Sequence, residues 1–225
     1  MANEFSRLLE LRDLTKDLSN PDSYFHNFQD RLKNKHVLQK YLEIENYLLN
    51  IDECSWALLK EEAAPFLDKK HDKRGWQSLF DILNQAKACS VLLSIGLKDV
   101  SFIPRSKIPG KKTPDIKAIK NGISFLCEVK TINISDDEAS IRGKKEVRNI
   151  SLSLDSGFFN KLQDDIATAK KQLCEYDTAH EAQWLVFIFI NYDDFFKTFE
   201  QQYLDQINKF IVENPIFDID VVCKS

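Results

Sequence analysis

The chain has 225 residues, 43% of them hydrophobic and 29% charged, with a net charge of −4. That composition suits a globular chain with one sizeable core, and no run approaches the roughly 18 to 20 apolar residues of a membrane span. Cys54, Cys89, Cys127, Cys174 and Cys223 show no CxxC spacing, and His26, His36, His71 and His180 are dispersed, which argues against a zinc centre, a disulfide framework or a histidine-based nucleophile.

The opening residues, MANEFSRLLELRD, lack the apolar core of a secretory leader. The scattered cysteines read as reduced thiols held mostly in the core, so a cytoplasmic location is expected. Residues 1–74 read as a helical N-terminal region. Phe5, Leu8, Leu11 and Leu18 recur at near-helical spacing, and Asn20-Pro21 marks a turn. Val37, Tyr41, Ile44, Tyr47, Leu48 and Ile51 form a second stripe. A third helix over residues 53–66 leads to the charged connector DKKHDKRG. These helices carry no chemical motif and are expected to cover the core, with a dimerisation or substrate-recognition cap as the alternatives.

Residues 75–225 read as an α/β domain. Leu79, Leu83, Ala86 and Leu93 predict a helix over 76–95 with Gly96 as its stop. Residues 100–103 follow as a strand, and PRSKIPGKK as a loop. Strands over 114–119 and 123–132 then flank Asn121-Gly122, the dipeptide that favours a two-residue hairpin turn because both positions take positive φ. The turn sets the register: Lys120 pairs with Ile123, Ala118 with Phe125, Ile116 with Cys127, and Asp115 faces Glu128. Cross-strand partners share a face. Ile116, Ala118, Ile123, Phe125, Cys127 and Val129 are therefore expected on a core face, with Asp115, Lys117, Leu126, Glu128 and Lys130 on the other.

Carboxylates in direct register have Cβ atoms about 4.5 to 5.5 Å apart and repel unless a positive charge intervenes. A hard divalent cation such as Mg²⁺, which takes one or two carboxylates and keeps waters for a substrate phosphate, relieves that conflict. Lys130 presents an ammonium to the same place. The set suits phosphodiester hydrolysis.

Pro114-Asp115 followed by Glu128-Val129-Lys130 resembles the signature of the PD-(D/E)xK nuclease superfamily, the restriction endonuclease-like fold. The resemblance implies that Asp115 and Glu128 bind Mg²⁺, with Mn²⁺ as a substitute, that the Val129 carbonyl adds a ligand, and that Lys130 assists the nucleophile. It also implies a further acidic ligand from the preceding helix. The matching position is Gln85, with Asp81 one turn earlier, a departure that leaves any second metal weakly held.

Six basic residues, Arg105, Lys107, Lys111, Lys112, Lys117 and Lys120, surround Asp115, and Arg142, Lys144, Lys145 and Arg148 follow the hairpin. They are candidates for phosphate contacts despite the net negative charge. Ser135-Asp136-Asp137-Glu138 reads as a solvated loop. A helix capped by Asp155 or Ser156 and running to 175 buries Phe158, Leu162, Ile166, Ala169 and Leu173. Lys161 and Gln172 lie beside that stripe, where the resembling family often places a Lys or Gln near the substrate. WLVFIFI, over 184–190, reads as a strand covered on both faces. A helix to about residue 212 and an edge strand over 216–222, with Phe217, Ile219 and Val221 inward, complete the chain.

Helix, strand, hairpin, helix and buried strand give the order αβββαβ over residues 76–191. The expected fold is α/β, a restriction endonuclease-like core with a central mixed sheet plus the helical N-terminal region. The expected function is a Mg²⁺-dependent endonuclease acting on DNA more readily than RNA. A homodimer or a partner protein is compatible with the sequence. The alternatives are an RNA-directed nuclease and a non-catalytic module of the same fold that binds nucleic acid or a protein.

Overall fold

The computed structural model describes residues 4–68, 70–72, 75–132, 153–190, 200–214 and 219–224. Arg142, Lys144, Lys145, Arg148, the acidic stretch 135–138 and Phe217 lie outside the described residues. The fold is α/β, with a five-stranded mixed sheet in the order β1-β2-β3-β4-β5. By compactness the chain divides into two units, Met1–Phe102 and Ile103–Ser225. No helix among the described residues is long and apolar enough to cross a membrane.

The first unit holds α1 (Ser6–Asp13), α2 (Phe28–Arg31), α3 (Lys35–Leu49), α4 (Glu53–Ala63), α5 (Gln77–Ser94) and β1 (Lys98–Phe102). The division falls after β1, whereas the sequence placed the helix and strand following residue 75 with the α/β domain. The reason is packing: α5 lies on α3 and α4, and Phe102 N donates to Ser55 Oγ of α4 at 2.8 Å. Leu8, Leu11, Leu48, Trp56, Leu59, Leu79 and Leu92 are fully buried, so this unit has a core of its own. Leu18, expected in the first stripe, is instead exposed. Glu45 on α3 is the buried acid that the stripe concealed. Its oxygens accept from Arg7 N and Leu8 N at 2.9 Å, satisfying orphan donors at the start of α1. The predicted stop of α5 is present. Gly96 takes φ +87°, and the N–H groups of Gly96 and Leu97 return to Leu93 and Leu92 at 3.0 Å.

The second unit holds β2 (Ile116–Lys120), β3 (Ile123–Ile132), α6 (Ser156–Tyr176), β4 (Gln183–Ile190), α7 (Glu200–Glu213) and β5 (Asp220–Lys224). Asn121 and Gly122 take φ values of 53° and 79°, as the turn requires. The β2-β3 register pairs Ile116 with Cys127, Ala118 with Phe125 and Lys120 with Ile123, as the sequence predicts. β3, β4 and β5 are parallel neighbours joined through α6 and α7, so the strand predicted at the edge is at the edge.

One face of this sheet is sealed by the stripe Leu162, Ile166, Ala169 and Leu173 of α6, packed with Ile132, Val186, Ile188, Ile190 and Ile207. Leu126 packs against the same cluster, with Val221 of β5 and Ile219 just before it. The other side of β4 carries Leu185, Phe187 and Phe189, all buried. β4 is thus covered on both faces, which its unbroken apolar run anticipates. One expectation changes: Ile123, assigned to the core, is exposed at the hairpin tip. On the face of β3 turned toward α6, Glu128 is buried while Lys130 stays partly exposed. Of the cysteines, Cys89 and Cys127 are buried, Cys223 is half-buried, and Cys54 and Cys174 are exposed.

Candidate metal centre

Glu128 is set by the middle of β3, between the pairing of β3 with β2 on one side and β4 on the other. It is only 3% exposed, a position that an ionised carboxylate holds only with partners. Its Oε1 accepts from Lys130 Nζ at 2.6 Å, and its Oε2 accepts from Gln172 Nε2 at 2.7 Å. Lys130 lies two residues on along the same face, and Gln172 descends from the covering helix.

Asp115 occupies the step beyond the last regular pair of the hairpin. Its N–H donates to the Cys127 carbonyl at 3.1 Å, and its carbonyl accepts from Ile103 N at 2.9 Å. Its Oδ2 accepts the N–H of Val129 at 2.7 Å. The residue whose carbonyl was expected to ligate metal therefore also pins the aspartate through its other peptide group.

The two carboxyls feel each other. Burial first, and the Glu128 charge second, push Asp115 up to about 7, against the opposing pull of the Val129 N–H, Lys130 and Arg105. Burial also raises Glu128, opposed by Lys130, Lys112 and the Gln172 hydrogen bond. The like charge of Glu128 thus disfavours ionisation of Asp115, and Lys130 relieves part of that repulsion. Carboxylate oxygens of this kind fit a hard cation. Among the described residues no group of three or more His, Cys, Asp or Glu forms a richer cation site.

The remaining candidates separate. Arg105 and Lys112 are exposed, yet their charges act on Asp115 and Glu128 respectively. Lys107 and Lys111 are exposed on the same loop. Gln172 belongs to the site. Lys161 does not: it ion-pairs with Asp165, and its place eleven residues earlier on α6 is about 16 Å along the helix from Gln172. Asp81 and Gln85 are half-buried on α5, in the first unit. The Thr113 carbonyl, which accepts from Gln172 Nε2 at 2.8 Å, was not singled out by sequence. A backbone acceptor leaves no residue-type signal.

A pH dependence follows. An acid whose pKa is about 7 folded and near the ordinary 3.8 unfolded binds more protons folded than unfolded between those values. Its favourable contribution is fully present below the unfolded value and is lost as pH rises through the folded one. The metal-free protein is therefore expected to lose stability as pH rises from about 4 to about 7. Asp115→Asn removes the charge while keeping an oxygen for the Val129 N–H. It is expected to stabilise the metal-free protein at pH 8 by roughly 2 kcal/mol, about 4 to 8 °C in Tm, and to flatten that pH profile. Melting curves with chelator from pH 4 to 8 check both.

No protein-family model, curated protein or solved structure matches this chain.

Proposed function

We propose that the second unit is a restriction endonuclease-like domain that hydrolyses phosphodiester bonds in DNA with the help of Mg²⁺. The observation that carries the reading is a buried glutamate whose charge raises a neighbouring aspartate, with a lysine ammonium 2.6 Å from the glutamate. Asp115 and Glu128, with the Val129 carbonyl, hold the ion. When bound, Mg²⁺ polarises the scissile phosphate and makes the attacking water more acidic. The chain supplies the rest. Lys130, its side chain 22% exposed, reaches from the buried Glu128 to the solvent side, where its ammonium orients the attacking water and offsets charge developing on the phosphate. Arg105, Lys107, Lys111 and Lys112 form an exposed basic loop leading to the acids, suited to sequence-independent phosphate contacts. The element order α5-β1-β2-β3-α6-β4 agrees with the αβββαβ pattern that the motif implies.

A non-catalytic binding module is the second reading, favoured by the neutral Gln85 where the resembling family often has an acid. Plasmid cleavage with and without Mg²⁺ separates the two.

The loop residues divide by what they touch. Neutralising Lys107 and Lys111 together is expected to weaken DNA binding for all sequences alike and to lower the slope of log affinity against log salt by about 2. Mn²⁺ affinity is expected to stay near the wild-type value, because the charges that act most on the carboxyl pair are those of Lys130, Arg105 and Lys112. Fluorescence anisotropy over a salt series, together with Mn²⁺ titration, reads both quantities.

A further inference from the structure

Gln172 projects from α6 toward two segments distant in sequence, 44 residues from Glu128 and 59 from Thr113. Its Nε2 donates to Glu128 Oε2 at 2.7 Å and to the Thr113 carbonyl at 2.8 Å. Carboxylate and carbonyl oxygens only accept, so both partners demand amide hydrogens, and the carboxamide has one orientation. At 7% exposure it is buried, whereas the other partner of Glu128, Lys130, keeps one end in solvent. Glu128 thus has one hydrogen bond from a buried neutral donor and one from a partly exposed charged donor. Thr113 precedes Asp115 by two residues, so holding its carbonyl fixes the entry of the segment that delivers the second acid.

We propose that Gln172 is a positioning residue for the cation site: a single neutral amide that ties the Glu128 carboxylate to the segment leading into Asp115, holding the acids face to face. The inference rests on the metal-dependent reading above. Side-chain chemistry explains why an amide serves here. A lysine or arginine in its place neutralises the pair and competes with a cation, and an aspartate or glutamate adds a third repelling charge. A carboxamide supplies two donors from one atom and leaves the net charge of the site unchanged.

The test is calorimetric titration of Mn²⁺ into the full-length wild type, Gln172→Met and Gln172→Asn, with a metal-free melt for each. Methionine keeps the volume and removes both donors. Asparagine keeps the amide but withdraws it by one carbon, about 1.5 Å, so that it no longer reaches both acceptors. Both variants are expected to bind Mn²⁺ about 10- to 100-fold more weakly than wild type, the loss typical when a group that orients a ligand is removed. If Gln172→Met fails to fold, Gln172→Asn alone decides. Wild-type Mn²⁺ affinity in the folded variants overturns the inference and leaves the metal reading standing, because a merely structural glutamine lowers Tm without moving affinity. An absence of Mn²⁺ binding by the wild type overturns both.

Discussion

Lys130→Ala is expected to lower the rate of DNA cleavage by a factor of about 10² to 10³ or more while Mn²⁺ still binds. The ammonium sits 2.6 Å from Glu128 Oε1, so in the resting site it balances a buried charge. During hydrolysis the charge to be balanced shifts toward the phosphate, and a fixed donor aimed at developing charge is worth several kcal/mol in a partly dehydrated site. Removing it leaves both carboxylates, and with them the seat for the cation. The loss therefore falls on kcat, with Mn²⁺ affinity equal to wild type or tighter because a competing positive charge is gone. Single-turnover cleavage and Mn²⁺ calorimetry on the same preparation check the split.

Glu128→Ala is expected to abolish cleavage and cation binding together. Glu128 is the acid that both Lys130 and Gln172 address, and truncating it leaves a buried amide and a partly buried ammonium without their acceptor. Breaking a buried pair by deleting one partner costs on the order of 3 to 5 kcal/mol. Relief of the repulsion with Asp115 offsets part of that, so the metal-free Tm falls by less than a buried-pair deletion alone implies. Glu128→Gln preserves the shape and is expected to melt closer to wild type, yet it too binds no Mn²⁺. Differential scanning calorimetry beside Mn²⁺ titration of both variants distinguishes a lost ligand from a lost fold.

Local chemistry explains which parts of the molecule the sequence discloses. The hairpin is legible because Asn121 and Gly122 supply the positive φ values and the alternation on either side fixes which residues pair. α5 and α6 are legible for the same reason: periodic apolar faces end in a glycine cap and begin at Asp155, whose side chain accepts from Phe158 N at 2.8 Å. Long-range partners are another matter. Glu45 reaching back 38 residues to Arg7, and Gln172 reaching 59 residues to Thr113, are polar groups on otherwise apolar faces, and only the folded packing says what they meet. The covering of Glu128 by α6 belongs to this class, because the alternation along β3 does not name the helix laid over it. The division after Phe102 was hidden too, since it depends on α5 packing against α3 and α4 more than on any local break in composition.

The most direct measurement is incubation of the purified chain with supercoiled plasmid and with single-stranded DNA, in Mg²⁺, in Mn²⁺ and in chelator, beside Lys130→Ala. The account predicts strand cleavage by the wild type only when a divalent ion is present, and none above background by the variant. No cleavage of either substrate in either ion, or equal cleavage by wild type and Lys130→Ala, contradicts the hydrolytic role assigned to Asp115, Glu128 and Lys130.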